Sequence, residues 1–324
     1  MRNPLVCLMS LLPLALLALG AAPLGAAPVG AASAAAQSAP PLDVLVLGSG
    51  GPGATGRASS SYLLAIDGNE RILVDAGPGS FARLGEAKVS IASVDIVLLT
   101  HLHIDHAGEL PGLFKARALS SSGPIVFNVW GPDGSPSHPT GAYFPSTTQF
   151  LQLLFGPKGA FAYLKDFSAP MSIQAHGIAT QLSANAQPRV IYKEGALAIM
   201  AIAGHHGDAP AVIYRVDHAG KSVTFSGDID ASGLEDLRTI AKGSDLLVFN
   251  TVVLDPPASP AILYTLHTPP QTIGVVAKLA GVHALLLSHL SPATDEMHDA
   301  VLQSIRQNFA GPVTFAQDGL RVPP

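Results

Sequence analysis

From residue 42 onward the apolar residues come in short runs separated by glycine, proline and asparagine, and the runs change period in a regular order. LDVLVLGSGG (42–51) reads as a strand ending in glycines. SSYLLAID, a turn at Gly68–Asn69 and ERILVDAGPG read as a hairpin. VDIVLLT (94–100), apolar and β-branched, predicts a buried strand that ends at His101. AGELPGLFKARAL predicts a short helix, with Pro111 interrupting it or opening its next turn, and PIVFNVWGP another strand.

The same order returns near residue 197. LAIMAIAGHH predicts a strand, and PAVIYRV and SVTFSGD a hairpin around DHAGK. SGLEDLRTIAKG predicts a helix with Ser232 as N-cap, Glu235 completing a capping box and Gly243 at its end. DLLVFN is a strand. TPPQTIGVVAKLAG is a helix opened by Thr268, with Pro269 at its first position and Gly281 closing it. HALLLSHLSP, TDEMHDAVLQSIRQNFAG and PVTFAQD complete a strand–helix–strand unit. Hairpins followed by strand–helix units, twice over, predict an α/β (α+β) chain: two mixed sheets face to face with helices outside, a four-layer αββα sandwich. Residues 131–190 follow neither period. They are rich in Gly, Pro, aromatics and Leu, and predict an insert or cap with short helices such as STTQFLQLLF.

The first forty residues differ again. PLVCLMSLLPLALLALG follows Arg2, then a small-residue tail with A-x-A sites, the layout of a secretory signal peptide. The expected organisation is a signal peptide at 1–36, a linker at 37–42 and a single domain at 43–324, periplasmic or secreted. An uncleaved membrane anchor is the alternative. Cys7, the chain's only cysteine, leaves with the leader, so any metal site must use His and carboxylates. The net charge of −5 and the lack of a Lys/Arg cluster argue against a large nucleic acid as partner. The remaining partners are a small-molecule ester and, compatibly, a second copy in a homodimer.

Charge is scarce, at 13% of residues against about 25% in an ordinary domain. Yet LLTHLHIDHAGEL (98–110) places three histidines and an aspartate in six positions. Alternate side chains on extended backbone point the same way, so His101 and His103 can grip one metal. Asp105 and His106, beyond the turn towards the helix, face a second position. His and carboxylate donors without thiolate suit Zn²⁺, with Fe²⁺ or Mn²⁺ as alternatives.

THLHIDH resembles the signature of the metallo-β-lactamase superfamily. VLGSGGP and ILVDAGPG resemble that family's opening strands, with Asp75 as the aspartate behind the metals. GHHGDAPAVIYRV resembles the third motif of its ribonuclease Z and arylsulfatase-like branch, FSGDID the bridging-aspartate motif, and LLLSHLSP the last motif. The resemblance implies the metallo-β-lactamase fold and two Zn²⁺ ions. It assigns His101, His103 and His206 to one ion, Asp105, His106 and His289 to the other, and Asp228 to both. His205 adjoins His206; motif spacing favours His206 as ligand, with His205 donating to a carboxylate. LHTPP resembles the stretch in which a histidine assists at the scissile bond, which implicates His267 beside Asp105 as catalytic. The glutamate that partners this histidine in ribonuclease Z is missing; FNTVVLDPP has Asn250 and Thr251 there, and Asp255 is a distant substitute.

The function expected is an exported dinuclear zinc hydrolase of a small ester, a phosphodiester or sulfate ester first, attacked by metal-bound hydroxide. Lactone or β-lactam hydrolysis and mononuclear-iron sulfur oxidation are the alternatives. His138, His176, His218, His283 and His298 read as structural or solvated. Trp130, Tyr143, Phe144, Phe150, Phe155 and Phe161 either line a substrate pocket or form the insert's own core.

Overall fold

In a computed structural model, residues 39–135 and 143–324 are described. The leader predicted at 1–36 and His138 lie outside the described residues. Among the described residues no helix is long and apolar enough to cross a membrane.

The first half of the chain runs β1 (Leu42–Gly48), β2 (Ser61–Ile66), β3 (Asn69–Val74), α1 (Ser80–Ala87), β4 (Ile96–Leu98), α2 (Ile104–Ala107), α3 (Leu110–Leu119), β5 (Ile125–Pro132), α4 (Thr147–Phe155) and β6 (Met171–Ile178). The second runs β7 (Arg189–Glu194), β8 (Leu197–His206), β9 (Ala209–His218), β10 (Lys221–Phe225), α5 (Leu234–Ile240), β11 (Leu246–Asn250), α6 (Pro270–Ala280), β12 (Ala284–Ser288), α7 (Pro292–Glu296), α8 (His298–Arg306), β13 (Val313–Phe315) and β14 (Arg321–Val322). The strands form two mixed sheets of seven, ordered β14-β1-β2-β3-β4-β5-β6 and β13-β12-β11-β10-β9-β8-β7.

Three apolar layers follow from strand alternation. In β1, Val44 and Val46 face the other sheet while Leu45 and Leu47 face the helices. In β11, Leu246 and Val248 meet the first sheet while Leu247 and Phe249 lie under α5 and α6. A strand buried on both faces reads as an unbroken apolar run, which is why period-2 alternation is invisible in these segments. The four-layer αββα architecture is that of the sequence reading.

Details differ. The first hairpin turns at Asp67–Gly68, both at positive φ, one residue before the predicted turn, with Ile66 paired to Asn69. Residues 131–190, read as an insert, supply β6, paired parallel to β5, and lead into β7, the opposite sheet's edge, which begins at Arg189. The helix expected there is α4, with Ser146 and Gln149 forming a capping box. Ser232 does not cap α5; Asp230 caps the short 3-10 turn before it and accepts from the Ser232 amide. Thr268 does not cap α6 either, because its hydroxyl donates to Ile229 O. The Asp255 carboxylate accepts the Gln271 amide at 2.9 Å instead. The C-terminal helix breaks at Met297 into α7 and α8.

Candidate metal centre

Four connections leave the strands at one rim of the sandwich and carry the polar residues. β4 ends at Leu98 and leads to His101 and His103. β8 ends in His205 and His206, Asp228 follows β10, and His289 follows β12. The two sheets are tied together beneath this rim: the Val212 amide donates to Thr100 O at 2.8 Å and the Tyr214 hydroxyl to Leu99 O at 3.1 Å.

His101, His103 and His206 form one group of donor atoms that lie within 4.8 Å of one another, and Asp105, His106, Asp228 and His289 form a second. Asp228 is the hub. Its Oδ2 is 3.6 Å from Nε2 of both His106 and His206 and 3.9 Å from that of His101, while Oδ1 is 3.5 Å from His289 Nε2. Asp105 Oδ2 lies 3.1 Å from His289 Nε2 and 3.6 Å from His106 Nε2.

Most of the imidazoles are held from behind. His106 Nδ1 donates to Asp75 Oδ2 at 2.8 Å. Asp75 in turn accepts from the Thr100 amide and hydroxyl at 2.7 and 2.8 Å. His101 Nδ1 is 3.2 Å from the Thr100 hydroxyl, and His206 Nδ1 donates to Leu266 O at 2.9 Å. Anchoring Nδ1 turns each Nε2 inward, the usual arrangement behind metal-binding histidines. The backbone is shaped to match, since Asp75 and His289 both sit at positive φ, 56° and 53°. Gly77 is required by close approach, because a Cβ there would meet Asp105 O at 2.2 Å.

Burial opposes ionisation of Asp228, but His289, His106 and His206 around it hold its carboxyl well below the usual range. Burial likewise opposes Asp105, where the hydrogen bond with His289 prevails and lowers it. Burial pushes His101 well below its ordinary value and lowers His103. At His106 burial is overcome by Asp75 and Asp228, and the imidazole is raised well above its usual value. Nε2 of His101 and of His106 are buried with no hydrogen-bond partner. Buried polar atoms without a partner are costly, and here they lie beside the Asp105 and Asp228 carboxylates. That donor set, all N and O with no sulfur, fits divalent cations.

His205 stands apart. Its side chain is 37% exposed and its Nδ1 pairs with Asp230 Oδ2 at 2.7 Å. Asp230 also accepts the Gly207 amide at 2.8 Å, fixing the turn that carries His206. His267 joins the site: it is buried, and its donor atom groups with those of His206 and Asp228. Burial lowers it to about 4. Asp255 is occupied with the Gln271 amide and the Ser304 hydroxyl, so it is no partner for His267.

Three supporting residues were not picked out from the sequence: Thr100, Asp230 and the role of Asn250, whose amide donates to Asp228 Oδ1 at 2.7 Å. Their positions, one before His101, two after Asp228 and at the end of β11, are ordinary in sequence. Only FSGDID, with its second aspartate, carried a signal. Among the aromatics, Trp130 lies in the inter-sheet core and Phe155 under the helices, while Phe144 lies 6.2 Å, ring to ring, from His103.

Residues 54–133 match the metallo-β-lactamase superfamily model. The chain is 27% identical over 290 residues to ribonuclease Z of Mycobacterium avium (strain 104), covering 87% of this chain and 98% of that protein. The short form of human tRNase Z shares the fold with a TM-score of 0.64 at 21% identity, over 87% of this chain and 99% of that one. Zn²⁺-bound PqqB from Methylobacterium extorquens shares it with a TM-score of 0.58 at 15% identity, over 86% and 99%. These likenesses support the metallo-β-lactamase superfamily, on its ribonuclease Z-like branch, and with the donor cluster a metal-dependent hydrolase of that group.

Proposed function

We propose that the protein is an exported, dinuclear zinc-dependent phosphodiesterase. The observation that carries the reading is the cluster of seven His and Asp donors with Asp228 at its centre, in a chain aligned along nearly its whole folded length with a ribonuclease Z. His101, His103 and His206 would hold one ion, Asp105, His106 and His289 the other, with Asp228 between them. When bound, the ions supply Lewis acidity that acidifies water and takes up negative charge at the ester.

The chain's own residues do the rest. Asp105 orients the attacking water through a carboxylate oxygen kept anionic. Asp75 and Thr100 fix His106, and Asn250 fixes Asp228, so the donors need not rearrange during turnover. His267, lowered to about 4, is neutral near pH 7 and can donate only from a neutral ring N–H. It therefore steadies an ester oxygen by hydrogen bonding instead of acting as a cationic acid, in keeping with the absence of a glutamate partner.

The relatives' names, ribonuclease Z and tRNase Z, place RNA beside the small ester as a candidate substrate, against the sequence expectation of no large nucleic acid. The net charge of −5 favours the small ester. The test is a zinc-replete screen with bis-p-nitrophenyl phosphate, p-nitrophenyl sulfate, cyclic nucleotides and a precursor tRNA. Chelator-sensitive phosphodiester turnover restored by Zn²⁺ is expected. Turnover of the sulfate alone, or one iron per chain with no zinc, would overturn the reading; cleavage of precursor tRNA alone would overturn its small-ester part.

A further inference from the structure

The loop that carries His267 also holds a histidine of the metal centre. Residues 254–267 run from the end of β11 through the 3-10 turn Ala261–Thr265 to the start of α6. Leu266 O accepts from His206 Nδ1 at 2.9 Å. The next residue, His267, lies 5.2 Å, ring to ring, from His206 and 6.0 Å from His289. Leu266 is seated closely, because a Cβ at Gly207 would meet its Cδ2 at 2.6 Å. His267 Nδ1 is buried with no hydrogen-bond partner among the described residues. With that nitrogen unheld, the place of the ring follows from the backbone that carries it.

One hydroxyl gathers that backbone. Tyr264 Oη donates to Leu254 O at 2.7 Å and accepts the Ala258 and Ser259 amides at 3.0 and 3.2 Å. A phenol has one donor and two acceptor positions, so all three are used. They tie the 3-10 turn back to the chain where it leaves β11. Leu263 O then accepts the Leu266 and His267 amides at 3.2 and 2.9 Å. None of the three partners of Tyr264 is a donor of the metal centre. Residues 256–258 and 260–262 are exposed, and loops with little buried surface open at low cost unless they are tied.

We propose that Tyr264 is a positioning residue for both histidines: its hydroxyl fixes the loop so that Leu266 O aims His206 while His267 keeps its place beside Asp228. Zinc affinity and the placement of His267 are then coupled through two adjacent residues. Such a coupling is reciprocal, so zinc held by His206 steadies the loop that carries His267. The proposal rests on the hydrolase reading of the metal centre and adds that metal loading sets the loop at its edge.

Tyr264→Phe keeps the ring and removes the three hydrogen bonds. Thr265→Ala is the control from the same turn, where the hydroxyl donates to Ile262 O at 2.7 Å. In Tyr264→Phe, zinc affinity read by competition with a chelator should fall about tenfold. At saturating zinc, kcat on bis-p-nitrophenyl phosphate should fall about tenfold with KM little changed. Thr265→Ala should match the parent in both. Hydrogen exchange gives a readout that needs no turnover. In the metal-free protein the His267 amide should exchange about tenfold faster in Tyr264→Phe than in the parent, and zinc should slow it in the parent. Zinc affinity within twofold of the parent in Tyr264→Phe overturns the proposal, whatever the turnover. Equal losses in the two variants, or a His267 amide indifferent to both Tyr264→Phe and zinc, also overturn it. The expected shifts in zinc affinity and exchange, in an enzyme that hydrolyses no phosphodiester, support the role of Tyr264 and count against the phosphodiesterase reading alone.

Discussion

Asp75 acts at a distance from any substrate. It accepts the hydrogen bond that His106 Nδ1 donates, and Thr100 clamps it in turn. Asp75→Asn keeps the shape but removes the negative charge that holds this proton. Zinc affinity is expected to fall about 10- to 100-fold, read by competition with a chelator of known affinity. A change under twofold would show that Asp75 does not orient the donor. The same residue makes a prediction about protons. His106 is raised well above its ordinary value by Asp75 and Asp228, so without metal it carries two protons at pH 7. A cation taking Nε2 must expel one of them, and loading should release about one proton near neutrality. Calorimetry in buffers of different ionisation enthalpy measures it. As pH falls, protons compete for Nε2 and affinity should drop. His101, lowered by burial, should stay deprotonated and available to pH values below its ordinary range.

At the scale of elements, the caps show how far local sequence carries. The capping box of α4 lies within four residues, inside the stretch STTQFLQLLF that the sequence marks as helical. The cap of α6 was not legible, because the carboxylate comes from Asp255, sixteen positions before the amide it accepts. Windowed reading assigned the work to Thr268, which faces Ile229 instead. Asp255→Ala should therefore cost about 1 kcal/mol in chemical denaturation, with no change in turnover. Loss of activity with unchanged stability would reinstate Asp255 as a catalytic candidate. α1 escaped notice for a related reason: it is eight residues long, and its N-cap is Gly79 without a side-chain cap. β6 and β7 were hidden because they are sheet edges, half-exposed and weakly patterned.

At the scale of the whole molecule, the layers and the polar rim were readable because buried strands and H-x-H-x-D-H both leave local marks. The pairing of the rim was not, since Thr100, Asn250 and Asp230 act through contacts between distant strands. The rim also concentrates charge. Asp75, Asp105 and Asp228 are all buried there, and cations that neutralise them bind the folded state alone. Stripping metal with a chelator should lower the melting temperature, and zinc at about 100 times its dissociation constant should restore about 2.7 kcal/mol. An unchanged melting temperature would mean that the cluster does not bind zinc.

The chain closes on itself late. β14 pairs with β1, and Arg321 reaches Asp43 across 278 positions. Between these strands, Asp318 accepts from Ser49 and Ala58 and braces the loop that lays Gly51 against His289. During synthesis THLHIDH therefore emerges long before His289 and the brace behind it. A nascent chain that has made this stretch holds four of the seven donors but neither His206, Asp228 nor His289, so the completed site forms only once the later strands are in place.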